Sequence, residues 1–149
     1  MKTAPGTLRN AGQQDAVRIR KMVHAAHINP FSLDWRRFLL AVDEAGAVVG
    51  CIQVKPHGDG TREMASLVVV PEYRGQGFAR VMIQAVQAGH PRPLYLTCRS
   101  PLQRLYRRFG FRSLELNEMP PYFRRLRRIV DILSVITRRE EYMAVMLWD

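Results

Sequence analysis

Apolar positions recur along this chain with two periods, and the changes of period mark its elements. From Gln13 to Ala26 the residues Val17, Ile19, Met22, Val23 and Ala26 stand at mainly helical spacing and predict an amphipathic helix ending near His27. A short strand fits Thr7 to Ala11 ahead of it. Asn29 and Pro30 read as a cap followed by proline at the first helical position, which predicts a second short helix over Phe31 to Arg37 with its aromatics inside. Phe38 to Val42 and Ala47 to Val54 are strand-like runs joined by Asp43, Glu44, Ala45 and Gly46, a hairpin signal. A second turn, His57-Gly58-Asp59-Gly60, leads into Arg62 to Val70. There Leu67 through Val70 are too continuously apolar for a half-exposed strand and predict a central one.

After Pro71 a glycine-bearing turn opens into a helix with Phe78, Met82, Ala85 and Val86 on its inner face, ending at Gly89 with Pro91 beyond. Leu94 to Cys98 reads as another buried strand, Ser100 and Pro101 as cap and first helical residue, and Leu102 to Phe109 as a short helix stopped by Gly110. The tail predicts a helix from about Tyr122 to Ile136, with Tyr122, Leu126, Ile129, Val130, Leu133 and Ile136 on one side, and a last strand from Tyr142 to Leu147. No repeat or low-complexity linker interrupts the pattern. With 149 residues, 47% of them apolar, the expectation is one globular domain.

Charge adds a question that the pattern does not raise. Lys and Arg number 23 against 13 acids, a net charge of +10, and 20 of the 23 are Arg. Such a balance suits an anionic cofactor or a polyanionic partner and disfavours a polycationic substrate. Between Arg99 and Arg139 there are 11 arginines and three acids. Arg124, Arg125, Arg127 and Arg128 read either as the solvated face of the tail helix or as a surface for an anion. Few aromatics accompany them, so stacking on bases has little support and nucleic acid is not the favoured partner. Cys51 and Cys98 lie in apolar runs with no CxxC or Cys/His cluster, which predicts two buried thiols in a reducing compartment. The four histidines lack metal-ligand spacing, so no metal is expected. No apolar stretch approaches the length of a membrane span or a signal peptide, and a cytoplasmic protein with no membrane partner is the expectation.

The turn Arg74-Gly75-Gln76-Gly77 carries the candidate chemistry. A strand ending in a glycine turn that opens directly into a helix aims several backbone N–H groups and the positive end of the helix dipole at one spot, a phosphate site. No Lys-Ser or Lys-Thr follows Gly77, which excludes a Walker A loop, and Arg80 stands where a dinucleotide fingerprint needs a small residue. The stretch Leu67-Val68-Val69-Val70-Pro71-Glu72-Tyr73-Arg74-Gly75-Gln76-Gly77-Phe78-Ala79 resembles instead the acetyl-CoA loop of the GNAT family of N-acetyltransferases. That family's (Gln or Arg)-x-x-Gly-x-(Gly or Ala) pattern is met by Arg74, Gly77 and Ala79. Downstream, Leu105-Tyr106-Arg107-Arg108-Phe109-Gly110-Phe111 resembles the family's Leu-Tyr-x-x-x-Gly-Phe segment. The likeness covers roughly Ala41 to Leu114.

The resemblance implies an α/β fold with a mixed, mostly antiparallel central sheet flanked by helices, whose central and following strands splay apart to admit acetyl-CoA. It implies that Arg74, Gly75, Gln76, Gly77, Phe78, Ala79 and Arg80 hold the pyrophosphate, and that Leu67, Val68 and Val69 pair with pantetheine. Tyr106 matches the family tyrosine that protonates the departing thiolate, although Leu102, Leu105, Tyr106 and Phe109 also form one apolar helical face. Glu63, four residues before Leu67, matches a glutamate that some members use as base, and a solvated strand-edge residue is its plainer reading. Arg99 departs from the asparagine usual seven residues before the tyrosine, and either reaches a phosphate or does not touch the coenzyme. Asp34 and Trp35 either line the amine pocket or, for Trp35, anchor the core. The expected function is direct acetyl transfer to a small or macromolecular primary amine. The alternative is a non-catalytic module of the same fold that binds acyl-CoA or docks nucleic acid through the Arg-rich helix. The tail strand leaves both a monomer and a homodimer open.

Overall fold

A computed structural model describes residues 6–137 and 140–149, and the side chains of these except 135–137. The chain divides into two compact units, residues 1–55 with 64–90, and residues 56–63 with 91–149.

The first unit holds β1 (Thr7–Asn10), α1 (Ala16–Ala25), β2 (Phe38–Val42), most of β3 (Val48–Pro56), most of β4 (Arg62–Val69) and α2 (Phe78–Gly89). Its strands run in the order β1-β2-β3-β4. β1 and β2 are antiparallel with Leu8 opposite Ala41, and β2 and β3 are antiparallel with Leu40 opposite Cys51. Strand alternation turns Leu40, Cys51 and Val68 to one face, where Ile19, Met22 and Val23 of α1 complete a core with Phe38. α2 buries Phe78, Met82, Ile83 and Val86. Gly50 is required under it, because a Cβ there would lie 2.9 Å from Cε of Met82 and 3.0 Å from the Val68 carbonyl.

Asp15 anchors the start of α1. Its carboxylate accepts from Arg9 Nη1 and Nη2 at 2.8 and 2.9 Å and from the Gly12 amide at 2.8 Å. The Arg9 bonds, partly opposed by burial, hold the Asp15 carboxyl below its ordinary range. Asp15→Asn is therefore expected to cost about 2 kcal/mol at neutral pH, as for a charged group deprived of its hydrogen-bonded partner. Because the folded-state value is depressed, this contribution is complete above the usual carboxylate pKa near 4 and is lost as pH falls through the folded value. Urea titrations of both proteins should converge in acid, and equal midpoints at pH 7 would remove the pair from the stability account.

The second unit holds the turn between β3 and β4, β5 (Leu94–Arg99), α3 (Gln103–Arg107), β6 (Arg112–Ser113), α4 (Pro121–Thr137) and β7 (Met143–Trp148). The start of β4 pairs in parallel with β5 through Glu63 and Tyr95. β7 lies antiparallel between β5 and β6, with Leu96 opposite Met146 and Ser113 opposite Met146 on the other side. Leu114, Met119, Phe123, Val145 and Leu147 form the core under α4. Strand pairing is antiparallel for β1 with β2, β2 with β3, β5 with β7 and β6 with β7, and parallel for β4 with β5, which is the mixed, mostly antiparallel α/β class expected.

Two local expectations are corrected. Phe31 to Arg37 is not a helix: only Trp35–Arg37 makes a single 3-10 turn, capped by Asp34, whose Oδ1 accepts from the Arg36 amide at 3.1 Å. Asn29 closes its own turn by accepting from the Phe31 amide, and Ser32 adopts φ +58, which breaks any helix there. Phe31 is consequently exposed, while Trp35 packs on the α1 core. The tail helix forms as expected but is rotated from the predicted face. Phe123 is its fully buried seat, Tyr122, Leu126 and Val130 are half-buried, and Ile129 and Leu133 are more than half exposed. The side chain of Ile136 lies outside the described residues, as do Arg138 and Arg139.

Candidate active site

β4 ends in the glycine turn, and the turn is held from three sides. The Val70 amide donates to the Val49 carbonyl at 2.9 Å, the Tyr73 hydroxyl to Asp43 Oδ2 at 2.7 Å, and Arg74 Nε to the Val69 carbonyl at 3.1 Å. The Tyr73 bond is also the main cause that keeps the Asp43 carboxyl below its ordinary range. Gly75 at φ +77 and Gly77 at φ +92 take the left-handed backbone that glycine tolerates at no steric cost. Gly77 caps α2, and the Val81 amide is the first in the helix to reach a carbonyl, that of Gly77 at 3.2 Å. The preceding helical amides therefore have no intrahelical partner and, with the helix dipole, make a site for an anion. A coenzyme pyrophosphate fits the chemistry of this donor set: amides without partners, no carboxylate side chain among residues 74–80, and Arg74 and Arg80 alongside.

Among the residues expected to touch pantetheine, Leu67 and Val69 are half-buried, while Val68 is spent in the α1 core. Only its backbone is left for a ligand. Phe78 likewise sits in the core, edge-on to Tyr73 at 5.9 Å. One feature with no sequence signal is the kink at Ser66, which has φ +56 inside β4. Gln53 Nε2 donates to Ser66 Oγ at 2.8 Å and Cys51 Sγ to its carbonyl at 3.4 Å, which fix the kink.

In the second unit Tyr106 lies on α3 and is 8% exposed, edge-on to Phe111 at 6.1 Å. Burial first, then the neighbouring Cys98 thiol, push its phenol above the ordinary range, so it is protonated at neutral pH. No hydrogen-bond partner for its hydroxyl occurs among the described residues.

Glu63 is not a solvated edge residue, because it is 4% exposed. Its Oε1 lies in hydrogen-bond contact with His57 Nε2 at 2.7 Å, while Oε2 has no hydrogen-bond partner among the described residues. The His57 ring lies face to face with Tyr122 at 3.6 Å and edge-on to Phe123 at 5.5 Å. Asp59, on the same turn, accepts from the Tyr122 amide at 3.1 Å. Burial raises the Asp59 carboxyl, but the bonds from Thr61 and Tyr122 outweigh it and hold the group below its ordinary range. His57 is legible in principle, since the pairing of His57 with Thr61 makes Glu63 its diagonal neighbour across the hairpin. Tyr122 is 59 positions beyond Glu63 and has no such signal.

The remaining candidates are committed elsewhere. Arg99 gives Nε and Nη2 to Glu141 at 2.7 and 2.9 Å, and Asp34 pairs with Arg36 at 3.2 Å. In the basic tail, Arg112 pairs with Glu118 and Asp149 and Arg127 with Asp131, whereas Arg104, Arg108, Arg125 and Arg128 have no ion pair among the described residues. No group of three or more His, Cys, Asp or Glu side chains that could hold a metal occurs among the described residues. No helix there is long and apolar enough to cross a membrane.

Known proteins share the family and the fold of this chain. The family model described as an acetyltransferase (GNAT) domain matches residues 34–113. An uncharacterised N-acetyltransferase of Schizosaccharomyces pombe is 33% identical over 93 residues, 57% of this chain and 54% of that protein. The chain thus spans about half the length of that curated relative. Among solved structures, N-acetylglutamate synthase of Neisseria gonorrhoeae, in complex with coenzyme A and N-acetyl-glutamate, aligns with TM-score 0.69 and 17% identity. The alignment covers 99% of this chain and 36% of that one. A Mycobacterium tuberculosis protein in complex with CoA aligns with TM-score 0.65 and 19% identity over 93% of this chain and 97% of its own. At these identities the structural likeness is one of fold.

Proposed function

Because the chain belongs to the GNAT family of acetyltransferases, we propose that residues 1–149 act as one acetyl-CoA-dependent domain that acetylates a primary amine by direct transfer. The observation that carries this reading is the left-handed Gly77 cap, which presents the free amides of α2 at the end of the central strand. Acetyl-CoA supplies the activated thioester. The amides from Gly75 to Arg80, with Arg74 and Arg80, bind its pyrophosphate, and the backbone of Leu67, Val68 and Val69 pairs with the pantetheine arm. Backbone amides at the end of β4 hold the developing oxyanion. Glu63 Oε2 takes one proton of the incoming ammonium, the freed amine bonds to the thioester carbonyl carbon as the C–S bond breaks, the Tyr106 hydroxyl gives its proton to the departing thiolate, and the second proton shed by the new amide nitrogen restores the phenol.

A covalent acyl-enzyme is disfavoured by the thiols themselves. Burial pushes Cys51 up to about 12 and Cys98 up to about 11, so neither is a thiolate at neutral pH. Thermal unfolding with and without acetyl-CoA at two salt concentrations tests the cofactor assignment. At ~100 times its dissociation constant the coenzyme should add about 2.7 kcal/mol, with little dependence on salt. No stabilisation by acetyl-CoA, together with a salt-sensitive stabilisation by RNA, would turn the reading toward a nucleic-acid module served by the unpaired arginines.

A further inference from the structure

Glu63 is held by a group from outside its own strand. Its neighbour His57 belongs to a turn fixed by four bonds: the His57 amide to the Thr61 carbonyl at 2.9 Å, the Gly60 amide to the His57 carbonyl at 3.0 Å, and the Thr61 amide and hydroxyl to Asp59 Oδ1 at 3.0 and 2.6 Å. The imidazole is fixed in turn by α4, through the Tyr122 ring at 3.6 Å with 16° between planes and the Phe123 edge at 5.5 Å. The bond from the Tyr122 amide to Asp59 ties the start of that helix to the same turn. The His57 and Glu63 side chains are 9% and 5% exposed.

We propose that His57 is a positioning residue for the candidate base, holding Glu63 Oε1 so that Oε2 alone faces the amine, with Tyr122 as the brace that orients the imidazole. The inference rests on the reading of Glu63 as base. A carboxylate that acts as base only accepts, so in this role the 2.7 Å bond runs from Nε2–H to Oε1 and fills one of that oxygen's two acceptor sites. A glutamate has three rotatable side-chain bonds, and a misplacement of about 1 Å in a reacting group costs roughly a hundredfold in rate. The arrangement removes that freedom before substrate arrives. Ring stacking then gives the first turn of α4 a direct part in the geometry of the base.

The test measures kcat and KM for acetyl-CoA and for the primary amine that the wild type acetylates fastest in a panel of amino-acid, polyamine and peptide amines. His57→Phe keeps an aromatic ring against Tyr122 and deletes the donor. It should lower kcat about tenfold to a hundredfold, with KM for acetyl-CoA unchanged and the thermal shift by acetyl-CoA retained. His57→Gln, which restores an N–H donor, should recover most of the loss, a rescue that a merely structural role would not give. Wild-type kcat in His57→Phe beside an inactive Glu63→Gln overturns the inference and leaves the base standing. Wild-type kcat in Glu63→Gln overturns both. Should His57→Phe not fold, Tyr122→Leu, which removes the brace alone, should show the same fall in kcat, and an unchanged kcat there also overturns the proposal.

Discussion

Tyr106→Phe is expected to lower kcat about a hundredfold, at the lower end of what a positioned general acid contributes, while leaving acetyl-CoA binding intact. The structure makes this a clean experiment. Tyr106 is 8% exposed and its hydroxyl has no hydrogen-bond partner among the described residues, so the substitution breaks no bond within the fold. Phenylalanine keeps the ring and its edge contact with Phe111. The thermal midpoint should therefore hardly move, and any loss of rate belongs to the proton. Burial keeps the phenol protonated through the neutral range, so the acid is fully loaded at the working pH. Equal losses in kcat and kcat/KM would mark an interaction made only in the transition state. Wild-type turnover would remove Tyr106 from the mechanism and leave it as a core residue of α3.

Gly77→Asp should abolish stabilisation by acetyl-CoA altogether, a loss of about 2.7 kcal/mol at ~100 times the dissociation constant of the wild type. Two effects act together. A carboxylate enters the set of amides that faces the pyrophosphate, and φ +92 places an L-residue in the left-handed region at a cost of about 1–2 kcal/mol. The strain affects the free protein as well, so Gly77→Asn serves as the control. Asparagine tolerates the same backbone and carries no charge. If Asn retains the thermal shift and Asp loses it, the effect is electrostatic at the phosphate site. If Asp responds to acetyl-CoA like the wild type, the glycine turn is structural and the cofactor assignment fails.

Much of the fold was legible because its signals are local. The apolar run from Phe38 to Val42, the unbroken Leu67 to Val70 run and the Gly89 and Pro91 stop each depend on neighbours within a few residues, and β2, β4 and α2 lie close to where these signals place them. The failure at Phe31 to Arg37 was also local. Asn29 and Asp34 each favour a turn as readily as a cap, and Ser32 in a left-handed conformation decided between them. The rotation of α4 could not be read from its own stripe. Helical periodicity shows that a face exists, and packing of Phe123 with Met119, Val145 and Leu147 selects which one.

The same division runs through the candidate site. By itself the sequence determined the family, the glycine turn and the identities of Tyr106 and Glu63 as candidates, because motif and turn chemistry are written in consecutive residues. Tertiary structure alone decided their environments. Glu63 became a buried carboxylate with one oxygen committed to His57 because α4, beginning 58 residues later, covers that turn with Tyr122 and Phe123. Burial and partner choice are sums over groups distant in sequence, so only the folded chain contains them.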